Sequence, residues 1–335
     1  MNFVFPLLSF KKHGGVRVLA ILMNGLAEKG FKVTLIVPKN RFEDFYSLND
    51  KVNIKFVESK RQGKDPLSLL SILFQLYRNI PPHSYVVVSF FPTFYPAFFA
   101  KLFKSARITY LRQDAEQYFY PFPFSLLAYL SYFLPQDYRP AVSRWVMRGT
   151  LSKGPIIHPP LSRDFLSQPL NTHGKENAIV IFVRLKKRKG AGISMELLKH
   201  NGLKDFTFYI IGDSPGALDS RKFYLGYLKT KELIEILDRA RFFILPSLRE
   251  GFGLPPLEAM SRGVVPIVFT KTGPAEYIIN EYNGFLAKSV DDAVRIIKSL
   301  SHDTQKWNII SQNAAKTAHL FTEEKFIGNF IEMLK

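Results

Sequence analysis

The sequence predicts an α/β protein made of two similar domains, each a doubly wound parallel sheet, on three observations. The chain has 335 residues, about twice a usual domain. Short β-rich apolar runs alternate with stretches of helical periodicity, as when crossover helices join parallel strands. That alternation runs once, pauses over the Pro/Gly/Ser-rich segment 154–174 with Pro155, Pro159, Pro160 and Pro169, and then restarts.

In the first half, strands are expected over 2–8, 32–37, 52–57, 85–90 and 107–111, and helices over 16–29, 66–78 and 96–103. Val18, Leu22 and Leu26 share one helical face, and Gly30 is a natural stop. In the second half, strands are expected over 178–183, 206–211, 241–246, 264–269 and 284–287. Helices are expected there over 194–199, 231–238, 255–262 and 290–300. Ligands of such sheets bind at the carboxyl ends of the strands, and two facing domains leave a cleft between those ends.

Composition narrows the function. With 47% hydrophobic and 22% charged residues, the chain is globular rather than disordered or fibrous. Lys and Arg number 46 against 28 Asp and Glu, a net charge of +18. A field of that sign seeks an anionic partner: nucleic acid, nucleotide phosphates or an anionic membrane surface. The chain has no cysteine, which excludes disulfides, Cys-ligated zinc, iron–sulfur clusters and thiol nucleophiles. Residues 1–10 are apolar, but basic residues follow rather than precede them, so they do not read as a secretory signal. The uncharged run 117–136 carries Pro121, Pro123 and Pro135. These confine a helix to about 124–134, short of the roughly 20 residues a membrane span needs. The chain therefore reads as cytoplasmic and soluble, or peripheral on the inner face of a membrane.

The stretch richest in chemistry is Pro246-Ser-Leu-Arg-Glu250-Gly-Phe-Gly-Leu-Pro-Pro-Leu-Glu258-Ala-Met260. It follows an expected strand and opens an expected helix, with Pro255 and Pro256 where a missing N–H costs nothing. Gly251 and Gly253 let backbone approach a ligand closely, and free amides at a helix start favour anions. Glu250 is expected at the strand end, facing the cleft, and Glu258 in the first helical turn. An arbitrary pair of glutamates at this spacing would more often be a solvated loop charge and a partner for the helix dipole. The whole string reverses that preference.

The string resembles the E-x7-E signature of retaining GT-B glycosyltransferases of family 4 (glycosyl transferases group 1), which transfer sugars from nucleotide-sugar donors. Val183-Arg184-Leu-Lys-Lys-Arg-Lys189-Gly190 is similar to that family's Gly-Arg-Leu…Lys-Gly segment. His13-Gly14-Gly15 is similar to its N-terminal glycine loop, and Thr272-Gly273-Pro274-Ala275-Glu276 with Asn283-Gly284 to its later turns. Ile156-Ile-His158-Pro-Pro160 resembles the hinge strand, which makes His158 structural, and Phe321-Thr-Glu-Glu324 the start of the last helix.

The resemblance implies two facing Rossmann-like domains with a cleft between them. Residues 1–163 would bind the acceptor, with about 320–335 packing back on them, and 164–319 would bind the donor. Glu250, Arg184 and Lys189 would form the catalytic set. Glu258, Gly251, Phe252, Gly253, Leu254, Gly14, Gly15 and Gly273 would bind the donor. Arg184 and Lys189 would hold the diphosphate, a planar fork and a mobile point charge suited to phosphate oxygens. No metal and no cofactor is implied, since the nucleotide-sugar is a substrate, with UDP slightly favoured over GDP. One departure stands out: where relatives carry a histidine in the N-terminal domain, this chain has Gln113 and Asp114. Asp114 with Glu116 also admits a metal-binding reading, which the basic diphosphate site makes unnecessary.

Charge is uneven along the chain. Residues 1–164 carry 22 Lys and Arg against 10 Asp and Glu, and the remainder 24 against 18. The aromatic runs 90–99 and 118–124 fall in the same basic half. Basic plus aromatic suits a membrane-facing surface, with the first run expected to continue a strand into the core and 118–133 to face lipid. The acceptor is accordingly expected to be a lipid-linked glycan or polysaccharide. A nucleic-acid-binding protein is the rival from another class, but the bases are dispersed and no recognition module is visible. A silent partner subunit is another, and it would be expected to have lost the glutamate or Arg/Lys pair.

Overall fold

The computed structural model describes residues 1–58, 66–167 and 174–335. The middle of the expected linker, 168–173 with Pro169, lies outside them. The chain divides into two units, Met1–Pro160 with Glu323–Lys335, and Leu161–Thr322.

The first unit contains β1 (Asn2–Pro6), α1 (Gly14–Glu28), β2 (Lys32–Pro38), β3 (Val52–Val57), α2 (Pro66–Asn79), β4 (Tyr85–Val88), α3 (Phe91–Lys104), β5 (Arg107–Tyr110), α4 (Phe124–Ser131) and α5 (Arg144–Gly149). Its five strands lie in the order β3-β2-β1-β4-β5, every pair parallel. Strands covered by helices on both faces must be apolar on both. Phe3, Val4 and Phe5 of β1 and Val86, Val87 and Val88 of β4 are accordingly all buried.

One expectation fails here. The aromatic run 90–99 does not extend a strand: β4 stops at Val88, and α3 begins at Phe91. Pro92 sits in the first turn, where its fixed φ and absent N–H suit a helix start. Phe91, Phe94, Ala97 and Ala100 then fall on one buried face, the i, i+3, i+6, i+9 drift of a helix. Phe99 and Phe103 point outward.

The second unit contains α6 (Arg163–Leu166), β6 (Glu176–Val183), α7 (Ala191–Lys199), β7 (Thr207–Gly212), β8 (Lys222–Gly226), α8 (Thr230–Arg239), β9 (Ala240–Leu245), α9 (Leu254–Ser261), β10 (Val265–Val268), β11 (Phe285–Leu286), α10 (Val290–His302) and α11 (Thr304–Ala318). Its strand order is β11-β10-β9-β6-β7-β8, again all parallel. Three elements go beyond the expected set: the one-turn α6, β8 and α11. β8 is a largely exposed edge strand with little alternation to betray it. α11 buries Trp307, Ile310, Ser311, Ala314, Ala315 and Ala318, a helical stripe in which small residues replace large ones.

The chain ends in α12 (Glu323–Glu332), which belongs to the first unit. It packs on α1, where Ile327 fills the space a Cβ on Gly25 would need, 1.9 Å from its Cδ1. The Tyr138 hydroxyl donates to the Leu334 carbonyl at 3.2 Å, and Phe330 meets Phe3 of β1. Among the described residues, no helix is long and apolar enough to cross a membrane.

Candidate functional site

In an open α/β sheet, ligands bind past the carboxyl ends of the strands where the strand order reverses. In the second unit that point lies between β6 and β9, because the chain runs outward from β6 through β7 to β8 and then returns to the other side of β6. The loops after β6 and β9 meet there. Lys189 Nζ donates to Glu250 Oε1 at 2.7 Å, and the pair is largely shielded from water. The Leu248 amide donates to the Arg188 carbonyl at 3.0 Å. Gly190 has φ +75, and a Cβ there would lie 1.9 Å from the Pro246 carbonyl oxygen, so only glycine lets these loops close.

The loop after β10 completes the arrangement. The Glu250 amide donates to Thr272 Oγ1 at 2.9 Å, and the Gly273 amide to the Glu250 carbonyl at 3.0 Å. A Cβ on Gly273 would fall 2.4 Å from Phe252 Cα and 2.6 Å from the Gly251 carbonyl carbon. Gly251 and Gly273 therefore form a close backbone contact. Gly253, with φ +84, is the residue before α9, and its carbonyl accepts from the Tyr277 hydroxyl. Phe252 is buried against Tyr277 and Phe321, with ring centroids 5.2 and 5.6 Å away, and Leu254 is buried too. Their side chains anchor the loop.

Two placements differ from expectation. Glu250 is not at the strand end but five residues beyond Leu245, the last of β9. Glu258 is not in the first helical turn: α9 starts at Leu254, which makes Glu258 its fifth residue, and it is only 3% exposed. A solvated charge or a simple dipole partner does not describe it. Tyr277 marks how the two glutamates relate. Burial first, then the charges of Glu250 and Glu258, push its hydroxyl well above the usual tyrosine range. Sequence reasoning singled out the Thr272–Glu276 turn but not Tyr277 next to it. Buried Asn283 holds that tyrosine's carbonyl at 2.8 Å and bonds Thr317 Oγ1 at 2.9 Å.

Arg184 follows β6 but does not join the Lys189–Glu250 pair. Its guanidinium lies over the Tyr227 ring at 4.6 Å and 3.7 Å from Asp213. The Tyr227 hydroxyl donates to Asp213 Oδ1 at 2.5 Å, and the Leu185 amide to Oδ2 at 2.9 Å. Those two bonds in that order, more than the nearby Arg184 and Lys186, hold the Asp213 carboxyl below its ordinary range. Arg184 and Lys189 are thus two separately braced cations on one strand-to-helix connection.

In the first unit the strand order reverses between β1 and β4. Gly14 and Gly15 open α1 there, and the helix has no side-chain cap. Gln113 ties the point together. Its Nε2 donates to Ser89 Oγ at 2.6 Å and to the Gly15 carbonyl at 3.1 Å. Asp114 accepts from the Ala115 amide at 2.9 Å. Glu116 accepts from the Phe91 amide at 3.1 Å and from the Tyr110 hydroxyl at 3.3 Å, and burial pushes its carboxyl up to about 8. Buried Arg112 donates to the Thr150 carbonyl at 2.7 Å and to Tyr132 and Gln136. Among the described residues, no three His, Asp or Glu side chains cluster to hold a metal.

Comparison with known proteins bears on the family and the fold. Residues 162–317, nearly the whole second unit, match the family model of glycosyl transferases group 1. The serotype-specific mannosyltransferase WbdA of Escherichia coli is 34% identical over 122 residues, covering 34% of this chain and 15% of that protein. The sulfoquinovosyl transferase SQD2 of Arabidopsis thaliana is 34% identical over 154 residues, covering 42% and 29%. The chain spans less than a third of the length of either relative. Among solved structures, Anabaena Alr3699/HepE in complex with UDP and glucose superposes with a TM-score of 0.78 at 15% identity, covering 100% of this chain and 99% of that one. The sucrose-phosphate synthase of Thermosynechococcus elongatus gives 0.80 at 14% identity, covering 100% and 98%. The fold is GT-B.

Proposed function

We propose that this chain is a retaining, metal-independent glycosyltransferase that moves a hexose from a nucleotide-diphosphate-sugar to a lipid-linked glycan or polysaccharide acceptor. The observation that carries the reading is the Lys189–Glu250 pair at the strand-order reversal of a unit matched by the glycosyl transferases group 1 model.

Cleaving a sugar–diphosphate bond builds negative charge on the leaving phosphate and positive character on the sugar. Lys189 and Arg184 supply fixed positive potential for the first, which is electrostatic preorganisation. Glu250 accepts hydrogen bonds from donor-sugar hydroxyls, and Glu258 from the ribose. Glu250 and Lys189 brace each other, so each reaches the donor with part of its ordering cost already met. The acceptor attacks from the face the phosphate leaves, and the phosphate takes its proton, which preserves the anomeric configuration. The first unit binds the acceptor, with Gly14 and Gly15 reaching toward the transferred sugar or phosphate.

A thermal-shift panel of UDP-, GDP- and ADP-sugars tests the donor class, because a ligand that binds only the native state stabilises it. One sugar nucleotide, with UDP forms tried first, is expected to raise Tm by several degrees. The product's anomeric configuration, read by NMR, tests retention. No stabilisation by any donor would remove the reading.

A further inference from the structure

A cavity in the first unit lies over its helices rather than at the strand ends. It encloses about 650 Å³. Leu70 and Phe74 of α2, Phe99 and Phe103 of α3, and Phe124 and Leu127 of α4 are among its lining residues. Four of these are strongly exposed: Leu70 at 60%, Phe74 at 57%, Phe99 at 47% and Phe103 at 70%. Contiguous apolar surface of this kind marks a binding site rather than ordinary scatter. The Tyr95 hydroxyl, on the same wall, is already spent on the Leu127 carbonyl at 2.8 Å, which leaves the lining apolar.

Both ends of the groove are defined. One starts at Phe91 and Pro92, directly after β4, where Ser89 holds Gln113 and Gln113 holds Gly15. The other reaches Tyr77 and Phe103, where Lys104 Nζ sits 4.4 Å over the Tyr77 ring. The same ammonium donates to the Tyr77, Arg78 and Ile80 carbonyls at 2.7, 3.2 and 2.9 Å, and the Arg78 guanidinium lies 5.9 Å from the Phe74 ring, so two cations stand at this end. A cationic, apolar-faced end suits an anionic bilayer surface. A second copy of this chain would bring its own Arg78 and Lys104 to the same end, and like charges there disfavour self-association through this face.

We propose that the groove over α2, α3 and α4 holds the aliphatic chain of a membrane-resident, lipid-linked acceptor; the choice of ligand rests on the glycosyltransferase reading above. A chain leaving the bilayer at the Lys104 end runs along the groove and delivers its polar head to the Ser89–Gln113–Gly15 point.

Calorimetric titration of farnesyl phosphate, a soluble isoprenoid monophosphate, into the full chain tests this. Phe74→Asp and Phe99→Asp place a charge on the groove wall at exposed positions, and Leu102→Asp places one on an exposed α3 position outside it. The wild-type protein is expected to bind. The two groove variants should bind at least tenfold more weakly, and Leu102→Asp should match wild type, with Tm preserved in all. No binding by a wild-type protein that a nucleotide-sugar stabilises would overturn the groove and leave the donor site standing. Equal loss in Leu102→Asp, or a dimer abolished by Phe74→Asp with no farnesyl phosphate bound, would also overturn it. Farnesyl phosphate binding with no response to any nucleotide-sugar would keep the groove and overturn the glycosyltransferase reading.

Discussion

The strand-order reversal of each sheet gathers a glycine-bearing loop, and the two are built to opposite specifications. In the second unit an ion pair joins the loops, and their glycines interlock so closely that a Cβ on Gly273 or Gly190 would overlap neighbouring backbone. In the first unit a neutral amide, Gln113, joins the loops, and a Cβ on Gly14 would meet nothing within 4 Å. A rigid charged cradle suits a ligand of fixed shape and high charge, as a diphosphate is. An open neutral one leaves room for a second substrate to be read by other surfaces, such as the apolar groove beside it.

That contrast can be broken by substitution. The largest effect is expected from Lys189→Ala and Glu258→Ala. Each should lower kcat/KM about 10²–10³-fold, the usual cost of removing one preorganised group, with the fold retained by circular dichroism. Near-normal turnover in either would sink the site assignment. Next comes Gly273→Ala, whose added methyl meets backbone that cannot move aside. It should destabilise the second unit by about 1–3 kcal/mol, read as a lower urea midpoint.

The buried carboxyl of Glu116 gives a signature confined to the first unit. Its value is raised from 4.5 to about 8, so the folded state favours the protonated form. That contribution is fully present below about pH 4.5 and is lost as pH rises through about 8. Urea titrations of wild type and Glu116→Gln should show a slope of a few kcal/mol across that window that the variant lacks. Parallel pH profiles would refute it. The smallest effect is expected from Gly14→Ala, within about ±0.5 kcal/mol. Any loss of transfer in that variant then reports contact with a ligand rather than damage to the fold.

How much of this was legible in the sequence depends on how local the signal is. Parallel strands buried on both faces read as plain apolar runs, which is why β1, β2 and β9 were recoverable. The run 90–99 was misread because it is as apolar as a strand, and its helical period shows only when Pro92 is taken as a start signal. α11 escaped because its buried stripe is largely Ala and Ser, residues with little hydrophobic weight. Glu250 and Lys189 were visible as residue types at a spacing, but their pairing spans 61 positions and needs the sheet to bring it about. Tyr277 carried no signal of its own. It matters because folding bonds its hydroxyl to the Gly253 carbonyl in the field of both Glu250 and Glu258.

The central claim is that Lys189 and Arg184, braced separately after β6, form a diphosphate site. Calorimetric titration of UDP and GDP into the wild-type chain and into an Arg184→Ala/Lys189→Ala double variant tests it most directly. Binding of one nucleotide by the wild type, and at least hundredfold weaker binding by a double variant that is folded by circular dichroism at the titration temperature, is the predicted result. Binding of equal strength in both proteins would contradict it, as would no binding of either nucleotide to the wild type.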